Sequence, residues 1–538
     1  MGQASSGRRI PVLAAISLAA SVMPVSAAFK FSYKDCKDVT DADFKATVLF
    51  SHATNPATEQ PLKMAFDMDA SGNTDIYFVQ RAGALRRYNG AAKTLSELGT
   101  LPVTTESSDG LNGIALDPGF KTNKWIYLFY TVSDIKVWRI SRFTLKADKL
   151  DLASEKIILV IPTKGSSQHP GGGMGFDAQG NLWIGSGENN MVTGGGAPAG
   201  STYDLRGKIL RIRPKPIADA TVLAESGVGI TYDIPEGNLF PVGMAKTLPE
   251  IFVMGVRNPY SLTLDAGRKA VTWGDVGPDG NPKPTEEHNL TSKPMNGGWP
   301  FFAGDNVPLG DGGTVDKPTN TTKDNKGLVD LPPLTPGLHS YPQDCAITGP
   351  VYYYDRIPAV KGRLPPHFNG KWFVTDYQKS WVRILSLDDK GEKILKEDTA
   401  FAGILNKNIF KNPLDFQGGP DGALYLVNYA GNRTTPVNDI TGIIKIEYTG
   451  DCLPPPIVDR VGGRGETGAL GIDVIGTRIS IADAGAHTVV VSDFSGRVLE
   501  RHMGKGPKQY DLGNLKAGRY LVRITTGQGV LTTTLRKD

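Results

Sequence analysis

His169-Pro170-Gly171-Gly172-Gly173-Met174-Gly175-Phe176-Asp177, followed across a Gly180 turn by Leu182-Trp183, is one copy of a pattern that fills the chain. An apolar pair runs into Asp or Asn, a glycine turn follows, and an alternating apolar stretch carrying Tyr or Trp comes next. The other copies are Ala65-Phe66-Asp67 with Ile76-Tyr77, Ala115-Leu116-Asp117 with Ile126-Tyr127, Leu262, Leu264 and Asp265 with Val271 and Trp273, Phe368-Asn369-Gly370 with Trp372-Phe373, and Pro420-Asp421-Gly422 with Leu424-Tyr425. Period-two alternation bounded by Gly and Asx residues is the signature of strands joined by tight turns. Its recurrence about every fifty residues points to small sheets stacked around an axis, because one such sheet cannot bury both faces alone. Matching strand patterns at 84–88, 208–213, 382–387 and 443–448 supply further strands for these sheets. The expected architecture is all-β: a six-bladed β-propeller followed by a small C-terminal β-sandwich.

Composition agrees. The 64 Gly and 37 Pro are spread through the 538 residues, as many short strands and turns require, and helical periodicity is hard to find. The expected division is a signal peptide over 1–27, a propeller over 28–451, a Pro/Gly-rich linker over 452–471 and the sandwich over 472–538. Residues 1–27 carry Arg8-Arg9, an apolar stretch and the small-x-small site Val25-Ser26-Ala27. They predict export to the cell surface or medium, or alternatively to the periplasm. No other window approaches the roughly twenty apolar residues of a membrane-spanning helix. A net charge of +4 without a long basic run argues against a nucleic-acid partner. Of the three cysteines, Cys36 and Cys452 flank the propeller and would tie its ends as a disulfide, with Cys345 an equal competitor.

Chemistry concentrates beside the opening stretch. His169 stands next to a glycine-rich turn, and Glu188 follows where the next strand should end, so that blade can pair an imidazole with an orienting carboxylate. Long Gly/Pro/Asn-rich insertions at 188–250 and 279–348 are candidates for walls over one face of the ring.

Four collinear motifs, His169 with Gly171-Gly172, Gly255-Val256-Arg257-Asn258-Pro259, Gly274-Asp275-Val276-Gly277-Pro278-Asp279 and Asn296-Gly297-Gly298-Trp299-Pro300, resemble the glucose/sorbosone dehydrogenase family of six-bladed quinoproteins over roughly residues 60–450. The resemblance implies a soluble sugar dehydrogenase that uses pyrroloquinoline quinone (PQQ) and calcium, with a sugar substrate and an electron acceptor that the sequence does not identify. It implies His169 as the base on the anomeric hydroxyl, Glu188 as its orienter, and Arg257 with Asn258 on the quinone. Gly277 and Pro278 match the carbonyl ligands of calcium, a hard cation suited to oxygen donors in irregular loops; Asp275, Asp279, Glu286 and Glu287 add oxygens nearby, while His288 reads as a surface residue. Later motifs around Thr348, Asp376 and Gly419 also resemble the family, and Tyr352, Asp376, Lys379 and Arg383 are candidates for the inner rim of blades five and six, Lys379 and Arg383 as cofactor cations.

The chain also departs from the family. Where quinoproteins carry an arginine pair on the last blade, residues 411–416 read Lys-Asn-Pro-Leu-Asp-Phe, and the segment before the second blade's glycine is replaced by Ser107-Ser108-Asp109-Gly110. Losing two charge-assisted contacts weakens the case for the cofactor, with Lys411, Lys379 or Arg433 as substitutes. A calcium-bearing propeller that binds glycans or a protein without redox chemistry is the alternative, and a lactone or ester hydrolase ranks third. The tail, with Val491-Ser492-Asp493-Phe494-Ser495-Gly496 and Leu515-Lys516-Ala517-Gly518, resembles the C-terminal sorting domains of type IX-secreted proteins and so implies secretion machinery as a partner. A generic, carbohydrate-binding sandwich is the competing reading.

Overall fold

The computed structural model describes residues 31–33, 36–133, 135, 137–163, 168–189, 197–216, 231–279, 284–342, 344–357, 360, 362–431, 438–450, 472–475, 478–481, 485–493, 497–516, 518–526 and 529–537. The expected signal peptide and linker, Arg433 and Cys452 lie outside them, as does the Cys36 side chain; Cys345 carries a free thiol.

Six blades form the large domain: five are antiparallel four-strand sheets, and the third extends its four antiparallel strands with Tyr232–Asp233 and the parallel Met295–Asn296. Their innermost strands are Pro61–Met68, Leu111–Leu116, Gly171–Phe176, Ser261–Asp265, Ala346–Val351 and Pro413–Gly418. Each packs on the next, and the sixth packs back on the first, which closes the ring. The last blade takes its outer strand, Phe44–Ser51, from the start of the chain; this strand pairs with Gly442–Tyr448. The fold is therefore a six-bladed β-propeller, and no edge of the ring is left unpaired by chain ends.

The repeat exists because every blade is buried on both faces. Trp183 packs into the core shared by blades three and four, while its neighbour Ile184 packs into the core between blades two and three. Trp372 and Phe373 divide in the same way between the cores on either side of blade five, as do Tyr425 and Leu424 on blade six. Alternate side chains of a strand point to opposite faces, so a strand between two neighbours must be apolar at nearly every position.

The C-terminal module has two sheets. One pairs Ile472–Ile475, Arg478–Ile481 and Lys508–Asp511; the other pairs Val498–Lys505, Ala486–Ser492, Gly518–Thr526 and Gly529–Lys537. Val489, Val491, Val522 and Ile524 meet Ile479, Ile481 and Tyr510 in its core, making the expected small sandwich.

Candidate functional site

In each blade the start of the inner strand, the turn after the second strand and the end of the outer strand lie on one face of the ring. His169 precedes an inner strand, Glu188 follows a second strand, and Arg257 and Asn258 leave an outer strand. Topology therefore brings these four to one face, where two adjoining blades meet.

His169 Nδ1 lies 3.0 Å from Glu188 Oε1. Glu188 is fully buried, and its other oxygen accepts the Trp299 indole N–H at 2.9 Å. A carboxylate only accepts, so Nδ1 of His169 carries the proton in this contact and Nε2 presents its lone pair. Arg257 stands over the Trp299 ring, 5.5 Å from its centroid, with Nε 3.9 Å from Glu188. Asn258 ties the arginine segment to the histidine loop by accepting the Gly171 N–H at 3.2 Å. Asp275 fixes the same segment from below, accepting the backbone N–H groups of Arg257 at 2.9 Å and Asn258 at 2.7 Å.

Two glycines permit this crowding. A Cβ on Gly187 would stand 2.0 Å from the His169 carbonyl oxygen. Gly255, at φ +71°, lies so close to the 296–299 turn that a Cβ would meet Asn296 Oδ1 and the Gly298 nitrogen at 2.6 Å. The Trp299 N–H then donates to the Gly255 carbonyl at 3.0 Å. The second insertion thus does more than form a wall: it leaves blade four, pairs Met295 and Asn296 with Val253 and Met254 of blade three, and delivers Trp299 to Glu188. Beneath them the fully buried Lys208 ammonium donates to the carbonyls of Pro198, Ala199 and Arg206 at 2.8, 3.0 and 2.8 Å. The Ala199 carbonyl also receives the Gly255 N–H, so Lys208 braces the loop that carries Arg257.

At the same face of blade four, Asp275 pairs across strands with Glu287. The two glutamates offered as further oxygens near Gly277 and Pro278 stand on the strand Pro284–Thr291 and are buried. Burial pushes the Glu286 and Glu287 carboxyls up to about 8 and Asp275 up to about 6, although backbone N–H groups and Arg257 oppose the rise at Asp275. Glu287 accepts from the Asn289 amide at 2.7 Å and from the Gly304 N–H. Among the described residues no three His, Cys, Asp or Glu side chains gather as a metal cage. A calcium ion at this blade would therefore need backbone carbonyls such as those of Gly277 and Pro278, with the buried acidic groups supplying charge. Asp279 is 97% exposed, 3.8 Å from Arg257 Nη2.

Other candidates fall elsewhere. Lys379 is on the same face but pairs with Asp344 at 3.3 Å. Arg383 bonds Glu397 on the outer strand of blade five and lies 4.1 Å from the Trp381 ring centroid, which commits its guanidinium within that blade. Tyr352 packs between blades five and six with its hydroxyl on the carbonyls of Leu364 and Gly422. His288 is fully buried, not superficial: it stacks on His339 and meets the Thr375 carbonyl at 3.2 Å, because the strand carrying it is covered by blade five. Lys208 escaped the sequence reading because its partners are backbone carbonyls, which leave no side-chain motif.

The fold and the site define a propeller with a carboxylate-oriented histidine and a guanidinium on one face. The model of the glucose/sorbosone dehydrogenase family matches residues 58–434, and the chain belongs to that family. It is 24% identical over 387 residues to the aldose sugar dehydrogenase YliI of Escherichia coli, covering 69% of this chain and 87% of that one. The crystal structure of the soluble aldose sugar dehydrogenase from Escherichia coli in the apo-form superposes with a TM-score of 0.54 at 23% identity, over 75% of this chain and 99% of that one. The PQQ-bound aldose sugar dehydrogenase of Streptomyces coelicolor gives 0.52 at 19% identity, over 75% and 98%. At these identities the structural likeness establishes the fold.

Proposed function

We propose that this oxidoreductase removes hydride from C1 of an aldose or short saccharide, using PQQ and calcium, with His169 as the general base. The observation that carries the reading is the buried Glu188 carboxylate bonded to His169 Nδ1. It holds the ring with Nε2 as acceptor, so the anomeric O–H proton passes to Nε2 while the imidazolium is balanced by Glu188. Trp299 fixes the second carboxylate oxygen, which stops Glu188 from turning away. Arg257 fits an anionic guest: its two carboxylate contacts are long, 3.8 and 3.9 Å, so guanidinium donors remain for a ligand oxygen. PQQ, when bound, would supply the two-electron acceptor for the C1 hydride, so that loss of the hydride and of the proton held by His169 would leave the sugar as its lactone. The Gly277 and Pro278 carbonyls, with the acidic groups behind them, would hold calcium. Purified protein supplied with calcium and PQQ should reduce a redox dye when an aldose is added. His169→Ala should lower that rate about 10²-fold or more; a rate unchanged by the substitution would sink the assignment.

The absence of arginine across 411–416 favours a second reading, a calcium-bearing propeller that binds glycans or a protein without turnover. A PQQ titration followed by absorbance separates the two, since a pure binding module gives no saturable change. The 1–27 leader and the C-terminal sandwich support export and delivery by a secretion system; release of the intact chain into the medium, and its loss when 472–538 are deleted, would test this.

A further inference from the structure

Blades one and four face each other across the ring, and on its axis they touch. Lys63, third residue of the first inner strand, extends its ammonium to 3.4 Å from the ring centroid of Tyr260, which enters the fourth inner strand two residues after Asn258. Its Nζ donates to the Leu414 carbonyl at 2.8 Å and to its neighbour's, Leu62, at 3.3 Å. The Leu414 carbonyl belongs to the 411–416 stretch where the resemblance leads one to expect arginines.

Lys63 is 3% exposed and makes no ion pair within 4 Å among the described residues. Burial pulls the Lys63 ammonium down to about 7 against the opposing pull of the Asp415 carboxylate, whose oxygens accept the Met64 N–H at 3.0 Å and the Gln417 amide at 2.9 Å, so Lys63 carries its charge below about pH 7. Tyr260 is half-buried and also feels the charge of Arg81, whose guanidinium is bonded to the carbonyls of Thr105, Ser107 and Asp109. Those carbonyls lie in and beside the second replaced segment. Both departures from the family pattern therefore coincide with cations supplied by blade one.

We propose that Tyr260, backed by Lys63, is an axial floor on the face that carries His169 and Arg257 and binds a planar aromatic carboxylate by stacking, with the Lys63 charge taking the part of the missing last-blade arginines. A cation against one face of an aromatic ring draws density from it and lowers the cost of bringing an anion to the other face. The identity of the guest as PQQ rests on the function proposed above; the floor itself does not.

The test titrates the full-length protein with PQQ and, separately, with pyridine-2,6-dicarboxylate, following absorbance and intrinsic fluorescence across a salt series. Lys63→Met should raise the Kd of both probes about tenfold and flatten their salt dependence, Tyr260→Leu should do likewise for affinity, and Tyr260→Phe should bind as the parent does. Thermal melts establish that each variant is folded; if Lys63→Met is not, Tyr260→Leu against Tyr260→Phe carries the test. A folded Lys63→Met, or a folded Tyr260→Leu, with parental affinity overturns the floor. Parent protein that binds the dicarboxylate through these residues but not PQQ sinks the quinone reading and keeps the floor, whereas a parent that binds neither overturns both.

Discussion

His169 sits at φ +50°, in the left-handed region that a residue bearing a Cβ occupies at a cost of about 1–2 kcal/mol. The strain is held by what surrounds it: Gly187 against its carbonyl, Asn258 on Gly171, and Glu188 on its ring. Because Glu188 acts through the imidazole, Glu188→Gln should lower kcat/KM for an aldose by about 10–100-fold and leave the fold intact by circular dichroism. An undiminished value would mean that the contact is only structural. Lys208 gives a cleaner stability forecast. Lys208→Met removes one donor from three buried carbonyls at once, of which those of Pro198 and Ala199 keep a backbone N–H, and urea unfolding should register a loss of about 2 kcal/mol; a loss below about 1 kcal/mol would show that water replaces the ammonium.

At the scale of the element, the upper end of blade four gathers more negative charge than its neighbours compensate. Glu286 and Glu287, pushed from the usual 4.5 up to about 8 by burial, keep protons in the folded state that the unfolded chain has released. Between about pH 4.5 and 8 the folded state therefore binds more protons, and stability falls as pH rises through that window. A divalent cation beside Gly277 and Pro278 would take over the neutralising role of those protons. Calcium added to the chelator-treated protein should raise its melting temperature strongly at pH 8 and little at pH 5, where protons already do the work. Equal gains at both pH values, or none, would count against a cation at this blade.

For the whole molecule, the closing strand is decisive. Phe44–Ser51 completes blade six and seats Phe44 and Phe50 in the cores on its two sides. Removing residues 1–51 should expose the edge of Gly442–Tyr448, abolish the cooperative thermal transition and bring rapid proteolysis within blade six. A sharp transition near that of the full-length protein would show that the ring closes without it. The site depends on this closure, because Lys63 of blade one reaches Tyr260 of blade four and Leu414 of blade six only when the first and last blades are in register.

Six copies of one apolar pattern made the six blades legible, since a strand squeezed between two neighbours has to be apolar on both faces, as Trp183 and Ile184 are. The His169 and Glu188 pairing was readable for a similar reason: the ends of antiparallel neighbours in one blade must lie side by side, so spacing along the chain reports distance in space. Burial could not be read this way. His288 read as a surface residue and Glu286 and Glu287 as oxygens near the calcium carbonyls, and only the insertion that covers their strand and the packing of blade five took all three out of water. Nor could the sequence disclose Lys208 under its carbonyls or Lys63 across the axis. The Lys208 partners are backbone carbonyls of nearby residues, which leave no side-chain motif, and the Lys63 partners include a carbonyl and an aromatic ring far away along the chain, brought near by ring closure alone.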